Sequence, residues 1–209
     1  MFGIAIASSS PAVAARCAHA RAAVGAVASQ NITDPALGPM MLERMASGMG
    51  AAQALESLHG TPFAAYRQVI AIGSQGPAAV HSGDKALGIV ASALGEDCAA
   101  AGNLLANPQV PAAMVAAFEA SSGHFGERLL QALRAGLACG GEAGPVHSAG
   151  LLVVRDLSWP IIDLRVDWDD APVAALARVW EIYEPQIEDY VRRALDPAAA
   201  PAFGVPGDV

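Results

Sequence analysis

Helical stripes and short apolar runs fall in separate blocks along this chain, and that segregation is what most restricts its fold. The run FGIAIA from Phe2 to Ala7 and a second, VGAVASQ from Val24 to Gln30, read as two strands, each closed by polar residues. After the turn-like NITDP, Leu37, Met41 and Met45, then Leu55 and Leu58, recur at helical spacing, with Gly48 and Gly50 dividing the stretch in two. The methionines Met40, Met41, Met45 and Met49 at this spacing read as core filler rather than as a pliable groove. YRQVIAIG from Tyr66, AAVHSG from Ala78 and LGIVAS from Leu87 follow as the strands of a meander.

Asn107-Pro108 opens a helix through Phe118, and Phe125, Leu129, Leu133 and Leu137 repeat every four residues in another before Gly140 and Gly141 stop it. SAGLLVVR from Ser148 and IIDLRVDW from Ile161 then read as a hairpin turning at Trp159-Pro160. The last helix begins after Asp169, Asp170 and Pro172 and carries Val173, Leu176, Trp180, Tyr183, Ile187 and Tyr190 on one stripe, broken at Pro185. The order ββαα, βββ, αα, ββ, α predicts an α+β fold of two stacked antiparallel sheets with helices on the outer faces. One domain over residues 1–196 is expected, with a loose Pro-, Ala- and Gly-rich tail over 197–209.

Composition removes several function classes. Of 209 residues, 54% are hydrophobic and 15% charged, with 12 basic against 20 acidic side chains and a net charge of -8. Nucleic acids and anionic membranes both need a basic footprint, so neither is an expected partner. Cys17, Cys98 and Cys139 are odd in number and form no C-x-x-C pair, which fits a reducing, cytoplasmic setting. The longest uncharged stretch, Cys98 to Phe118, is interrupted by Asn103, Asn107, Pro108, Gln109 and Pro111, so no membrane span is predicted. Met1 to Ala7 has no positive residue and reaches Ser8 at once, and the start reads as structure rather than a signal peptide.

Motifs for familiar chemistry are missing. The five histidines show no H-x-x-x-H spacing, no serine sits in G-x-S-x-G, and neither G-x-G-x-x-G nor Gly-Lys-Ser/Thr occurs, so no metal or cofactor is expected. The most ordered polar pattern is I-D-L-R-V-D-W-D, which puts Asp163, Arg165, Asp167 and Asp169 on one strand face opposite Ile162, Leu164, Val166 and Trp168. That face is either a solvated edge with pairing along the strand or one wall of a cleft, where Arg165 would offer a planar fork to a carboxylate. Ser29-Gln30 ends a strand before NITDP, and Gly102-Asn103 lies between alanines and a helix; both are candidate site positions or simple turn caps.

In their order and spacing, several short pieces together resemble the family of unknown function DUF1028, grouped by fold with the N-terminal nucleophile (Ntn) hydrolases. They are G-I-A-I-A-S with P-A-V, Gly25 to Gln30, Asp34-Pro35 with Leu37 to Pro39, Arg67-Gln68-Val69, Gly102-Asn103-Leu104-Leu105 with Pro108, Ser148-Ala149 before L-L-V-V, and Asp163 to Asp167. The resemblance implies a four-layer αββα sandwich and an amidohydrolase acting on a small or peptidoglycan-like amide. Such enzymes attack with the first residue of the mature chain while its α-amino group serves as base. Relatives usually open with a strand resembling T-x-S-I-V-A ahead of the segment matching Phe2 to Ala7, and no such strand precedes it here. His147 and Ala101 stand where relatives are expected to carry glutamine.

The resemblance therefore implies one of three roles. An Ntn-type hydrolase would line its pocket with Ser29, Gln30, Arg67, Asn103, Ser148, Asp163 and Arg165. A hydrolase with an internal nucleophile would use Ser29 or Ser148. A ligand-binding or assembly protein on the same fold, paired as a homodimer through a bare sheet edge, would need neither.

Overall fold

The computed structural model describes residues 1–205. The chain enters as β1 (Phe2–Ser8), turns into a short helix α1 (Val13–Cys17) and returns through β2 (Ala18–Arg21) and β3 (Gly25–Asn31). Helices α2 (Leu37–Ala46) and α3 (Ala51–Glu56) follow, separated near Gly48 and Gly50 as the spacing predicts. Then come β4 (Arg67–Gly73), β5 (Ala79–Ser82), β6 (Ile89–Leu94) and β7 (Ala99–Leu105). The helical pair is α4 (Val110–Ala120) and α5 (Phe125–Ala138), and the hairpin is β8 (Ser148–Val154) with β9 (Ile162–Val166). Helix α6 (Pro172–Tyr183) gives way at Pro185 to a single 3-10 turn before α7 (Ile187–Leu195), the break that a proline without an N–H imposes.

The fold is α+β with three antiparallel sheets, ordered β1-β8-β9, β2-β3-β4-β5 and β6-β7. Where the sequence suggests two sheets, three separate ladders form. β6 does not continue the β4-β5 meander; it pairs instead with β7, from Ile89↔Leu105 to Leu94↔Ala99. β7 itself, AAAGNLL, is absent from the sequence expectation because alanine, glycine and asparagine have little preference for strands. The α1-β2 unit is likewise unforeseen, since five helical and four extended residues are too short to show a period.

Strand alternation distributes the core. In β3, Val27 faces α2 and α3 and joins Met41, Met45, Leu55 and Leu58, while Ala26 and Ala28 face the other way. There they meet Ile4 and Ile6 of β1, with Val13, Ala14 and Cys17 of α1. The opposite face of β1, Ala5 and Ala7, packs against the cluster of Leu130, Leu133, Leu151, Val153, Leu176 and Trp180. Met41 and Met45 are thus core filler, as expected, whereas Met40 is only partly buried beside them and Met49, in the break between α2 and α3, is exposed. Gly150 of β8 allows α1 to approach closely, because a Cβ there would stand 2.3 Å from that of Ala14.

Beyond α7 the described tail has neither helix nor strand, but Arg193 donates to Pro201 O at 3.2 Å and Ala202 O at 3.1 Å and stacks over Phe203. The remainder of the expected loose tail, 206–209, lies outside the described residues. Among the described residues no helix is long and apolar enough to cross a membrane.

Leu176 is fully buried where α6 meets β8 and β9. Leu176→Ala is expected to lower unfolding stability by about 2–5 kcal/mol, read from the urea midpoint at unchanged slope.

Candidate functional site

A cavity of about 860 Å³ opens between β1 and β7. Every residue of both strands borders it. Ala26, Ala28, Ile70 and Ile72 of β3 and β4 form one apolar wall, and residues of α4 and α5 such as Met114, Phe118 and Leu129 form the opposite one. Its size suits a small organic or peptide-like ligand, and its lining is apolar with a few placed polar groups.

Beside the hydroxyls of Ser8, Ser9, Ser10 and Thr33 and a few charged groups, the lining carries the side-chain amides of Gln30, Asn31 and Asn103. Gln30 Nε2 donates to Gln68 Oε1 at 2.8 Å and to Ala101 O at 3.0 Å. Gln68 Nε2 donates to Ser82 Oγ at 3.0 Å and to Gly102 O at 3.2 Å, and Asn103 Nδ2 reaches Gln68 Oε1 at 3.3 Å. Gln68 is completely buried, and each of its polar atoms is satisfied, as burial of an amide demands. Gln30 and Asn103 border the cavity while Gln68 links them from behind. Of the residues singled out in the sequence, the structure brings these two together. Gln68 was not among the candidates, although parity marks it: in RQVIAIG it shares a strand face with Ile70 and Ile72, where a polar residue needs a reason.

The two serines are engaged elsewhere. Ser29 is fully buried, its Oγ 3.0 Å from Thr33 Oγ1 and donating to Asp34 O at 3.3 Å, while Thr33 Oγ1 donates to Ser29 O at 2.6 Å. It ties the NITDP turn to the end of β3. Ser148, equally buried, donates to Ser10 O at 2.6 Å and accepts from Val13 N at 3.2 Å, so it satisfies an unpaired N–H at the start of α1. Neither hydroxyl has a hydrogen bond to a histidine, lysine or carboxylate.

Arg67 reaches Ile32 O and holds the segment after β3. Beside it Asn31 donates to Tyr66 O at 2.6 Å and accepts from Leu87 N at 3.2 Å. Asp163 and Arg165 lie on β9, the outer strand of its sheet, and do not border the cavity. Both are exposed and form a bidentate pair, with Arg165 Nε to Asp163 Oδ1 at 2.7 Å and Nη2 to Oδ2 at 2.8 Å. The fork of Arg165 is therefore filled by the carboxylate two residues before it on the same face, an exposed pairing of small energetic value.

Two of the ionisable groups around the cavity are committed to hydrogen bonds within the protein. Arg128 donates to Phe118 O at 3.2 Å and to Ser121 Oγ at 3.3 Å, and Glu142 accepts from Ser9 N at 3.2 Å. Burial pushes the Cys17 thiol above its ordinary range, outweighing a hydrogen bond from Thr33 and the charge of Arg16. Among the described residues no group of three His, Cys, Asp or Glu side chains is placed to hold a metal.

Comparison with known proteins gives a family match and a structural match. The model of a family described as "Family of unknown function (DUF1028)" matches residues 1–176. The crystal structure of protein SPO2555 from Silicibacter pomeroyi, itself assigned to DUF1028, is similar with a TM-score of 0.83 and 28% identity, covering 90% of this chain and 86% of that one. No curated protein matches.

Because Ser148 clips Ser10 and Val13 together, Ser148→Ala is expected to cost about 1–3 kcal/mol of stability by leaving the buried Val13 N–H unpaired and releasing Ser10 O. Chemical denaturation reads this, and an unchanged midpoint would remove the clip from the account.

Proposed function

The chain belongs to the DUF1028 family, and from that membership and the cavity together we propose that it is a binding protein for an apolar, peptide-like ligand held between β1 and β7. The observation that carries this reading is the Gln30-Gln68-Asn103 amide cluster beside a cavity whose larger walls, on β3, β4, α4 and α5, are apolar. Amide side chains both donate and accept, so they match the amide groups of a peptide-like molecule. The packing of β1 over β2 and β3, with α5 on one side and α2 and α3 on the other, supports a four-layer reading with the ligand between helices and sheet.

Amide hydrolysis is a second reading, favoured by the hydroxyls of Ser8, Ser9 and Ser10 along the cavity wall. It requires an activated nucleophile, and a serine carrying a fluorophosphonate label in the wild-type protein, lost on alanine substitution, would establish one.

Calorimetric titration with the blocked tripeptide acetyl-Ala-Val-Ile-amide tests the binding reading. Saturable binding with a negative heat-capacity change is expected, weakened about tenfold or less by Asn103→Ala, since a single neutral hydrogen bond is removed. A tripeptide that neither binds nor raises the melting temperature counts against the reading.

A further inference from the structure

Two strand edges run along the cavity with no ladder between them. β1 pairs with β8 on one side only, and β7 pairs with β6 on one side, its other side being bridged only at its end, where Leu105 pairs with Glu142 and Leu104 O accepts from Ala143 N at 2.8 Å, so the open stretch of that edge is Ala99 to Asn103. Every second N–H and C=O of such an edge points away from its partner strand. The same helical pair covers both edges: α5 packs on β1 and β8, α4 packs on β6 and β7, and the two helices pack on each other. The sheet β2-β3-β4-β5 underlies both, with β3 against β1 and β4 against β7. The space between is thus roofed and floored like the interior of a continuous sheet.

An aliphatic or aromatic ligand could fill the apolar walls but would offer nothing to two rows of backbone groups. Only another polypeptide backbone carries donors and acceptors at the strand repeat on both of its sides. We propose that the cavity receives an extended segment of a partner polypeptide as a strand between β1 and β7, which would join β9-β8-β1 to β7-β6 as one six-stranded sheet. This rests on the peptide-like ligand of the reading above and specifies how that ligand is held.

The walls define the segment. Ala26, Ala28, Ile70 and Ile72 meet one of its faces, while Met114, Phe118, Leu129 and Leu133 meet the other, so odd and even positions must both be apolar. The alanines leave room for branched side chains. A segment as long as β1, 7 residues, spans roughly 23 Å. The chain's own tail does not qualify, because Pro197 and Pro201 would each remove a ladder donor and Arg193 holds Pro201 O and Ala202 O outside. Gln30 and Gln68 donate to the adjacent carbonyls of Ala101 and Gly102, of which only one can belong to the free edge of β7, so at one position of that edge a side-chain amide already makes the kind of contact that a strand's N–H groups would supply elsewhere along it.

The test uses the whole protein and two synthetic probes: an acetylated 7-residue peptide of Val, Ile and Thr, matched to β1, with two added lysines for solubility, and its analogue N-methylated at alternate residues. Their side chains are identical, and only the donors differ. The parent peptide is expected to bind and to slow amide exchange in Phe2–Ser8 and Ala99–Leu105, and the methylated analogue to bind at least about tenfold more weakly. Equal binding of both without protection at these edges would overturn strand insertion while leaving the peptide-like reading intact. So would binding of the blocked tripeptide alone. Failure of all three ligands would remove both. Protein from its native cell with both edges already protected, and an intact mass that includes residues ahead of Met1, would replace the partner by a strand of the same chain and overturn the proposal.

Discussion

The structure depends on the alternation of two strands that are buried on both faces. Ile4 and Ile6 of β1 face Ala26 and Ala28 of β3, and Val27 between those alanines faces the methionines of α2. Ala5 and Ala7 face the larger residues beneath α5 and α6. Large side chains on one surface thus meet small ones on the next, which is how packed layers reach interior density without voids. A slip of one residue in β1 would bring isoleucines against the helices and alanines against alanines, so the pairing from Phe2↔Val154 to Ser8↔Ser148 is set by volume as well as by hydrogen bonds.

Edges are treated differently inside and outside this fold. β9 borders solvent and carries the Asp163-Arg165 pair on its exposed face, a charged finish that discourages edge-to-edge association. β1 and β7 carry no such residues in FGIAIAS and AAAGNLL. Their edges turn instead toward a cavity shielded by α4, α5 and the larger sheet, and this shielding makes an uncharged edge tolerable in water.

Much of this was legible because local periods were strong. The existence of α5 and α6, the stripe of Val173, Leu176 and Trp180, the break at Pro185, the β8-β9 hairpin and the two faces of IDLRV follow from spacing alone, whereas Leu137 at the end of the α5 stripe and Tyr190 at the end of the last one are exposed. The grouping of strands into sheets was not, because the choice of β6 between β5 and β7 depends on contacts distant in the chain and on a strand whose alanines fit closely under α4. The candidate site was half visible. Gln30 and Asn103 could be named as polar residues near strand ends, but so could Ser29 and Ser148, and sequence does not distinguish a hydroxyl that borders a cavity from one that fastens a turn. Burial does: both serines are spent on backbone groups of neighbouring turns. Gln68 could have been found by strand parity, whereas the engagement of Arg165 by Asp163 was one of two outcomes that the alternating pattern allowed.

Recognition and catalysis would make different demands on this cavity. General acid-base work near neutral pH needs a group poised to exchange a proton, with a nucleophile in reach. Among the described residues no histidine borders the cavity, and burial raises both of its thiols, Cys17 and Cys98, away from the reactive thiolate. Arg128 and Glu142 are already spent on hydrogen bonds within the protein. Beside the hydroxyls of Ser8, Ser9 and Ser10 and the carboxylate of Asp97, the cavity presents an uncharged amide network and backbone groups of strand edges, which act by geometry. Such an arrangement distinguishes ligands by the spacing of their donors and acceptors, because a mismatched ligand would leave desolvated amides unpaired at a cost of about 1–3 kcal/mol each. On the binding reading, the selectivity of the site would reside in hydrogen-bond register, set by the strands that frame it.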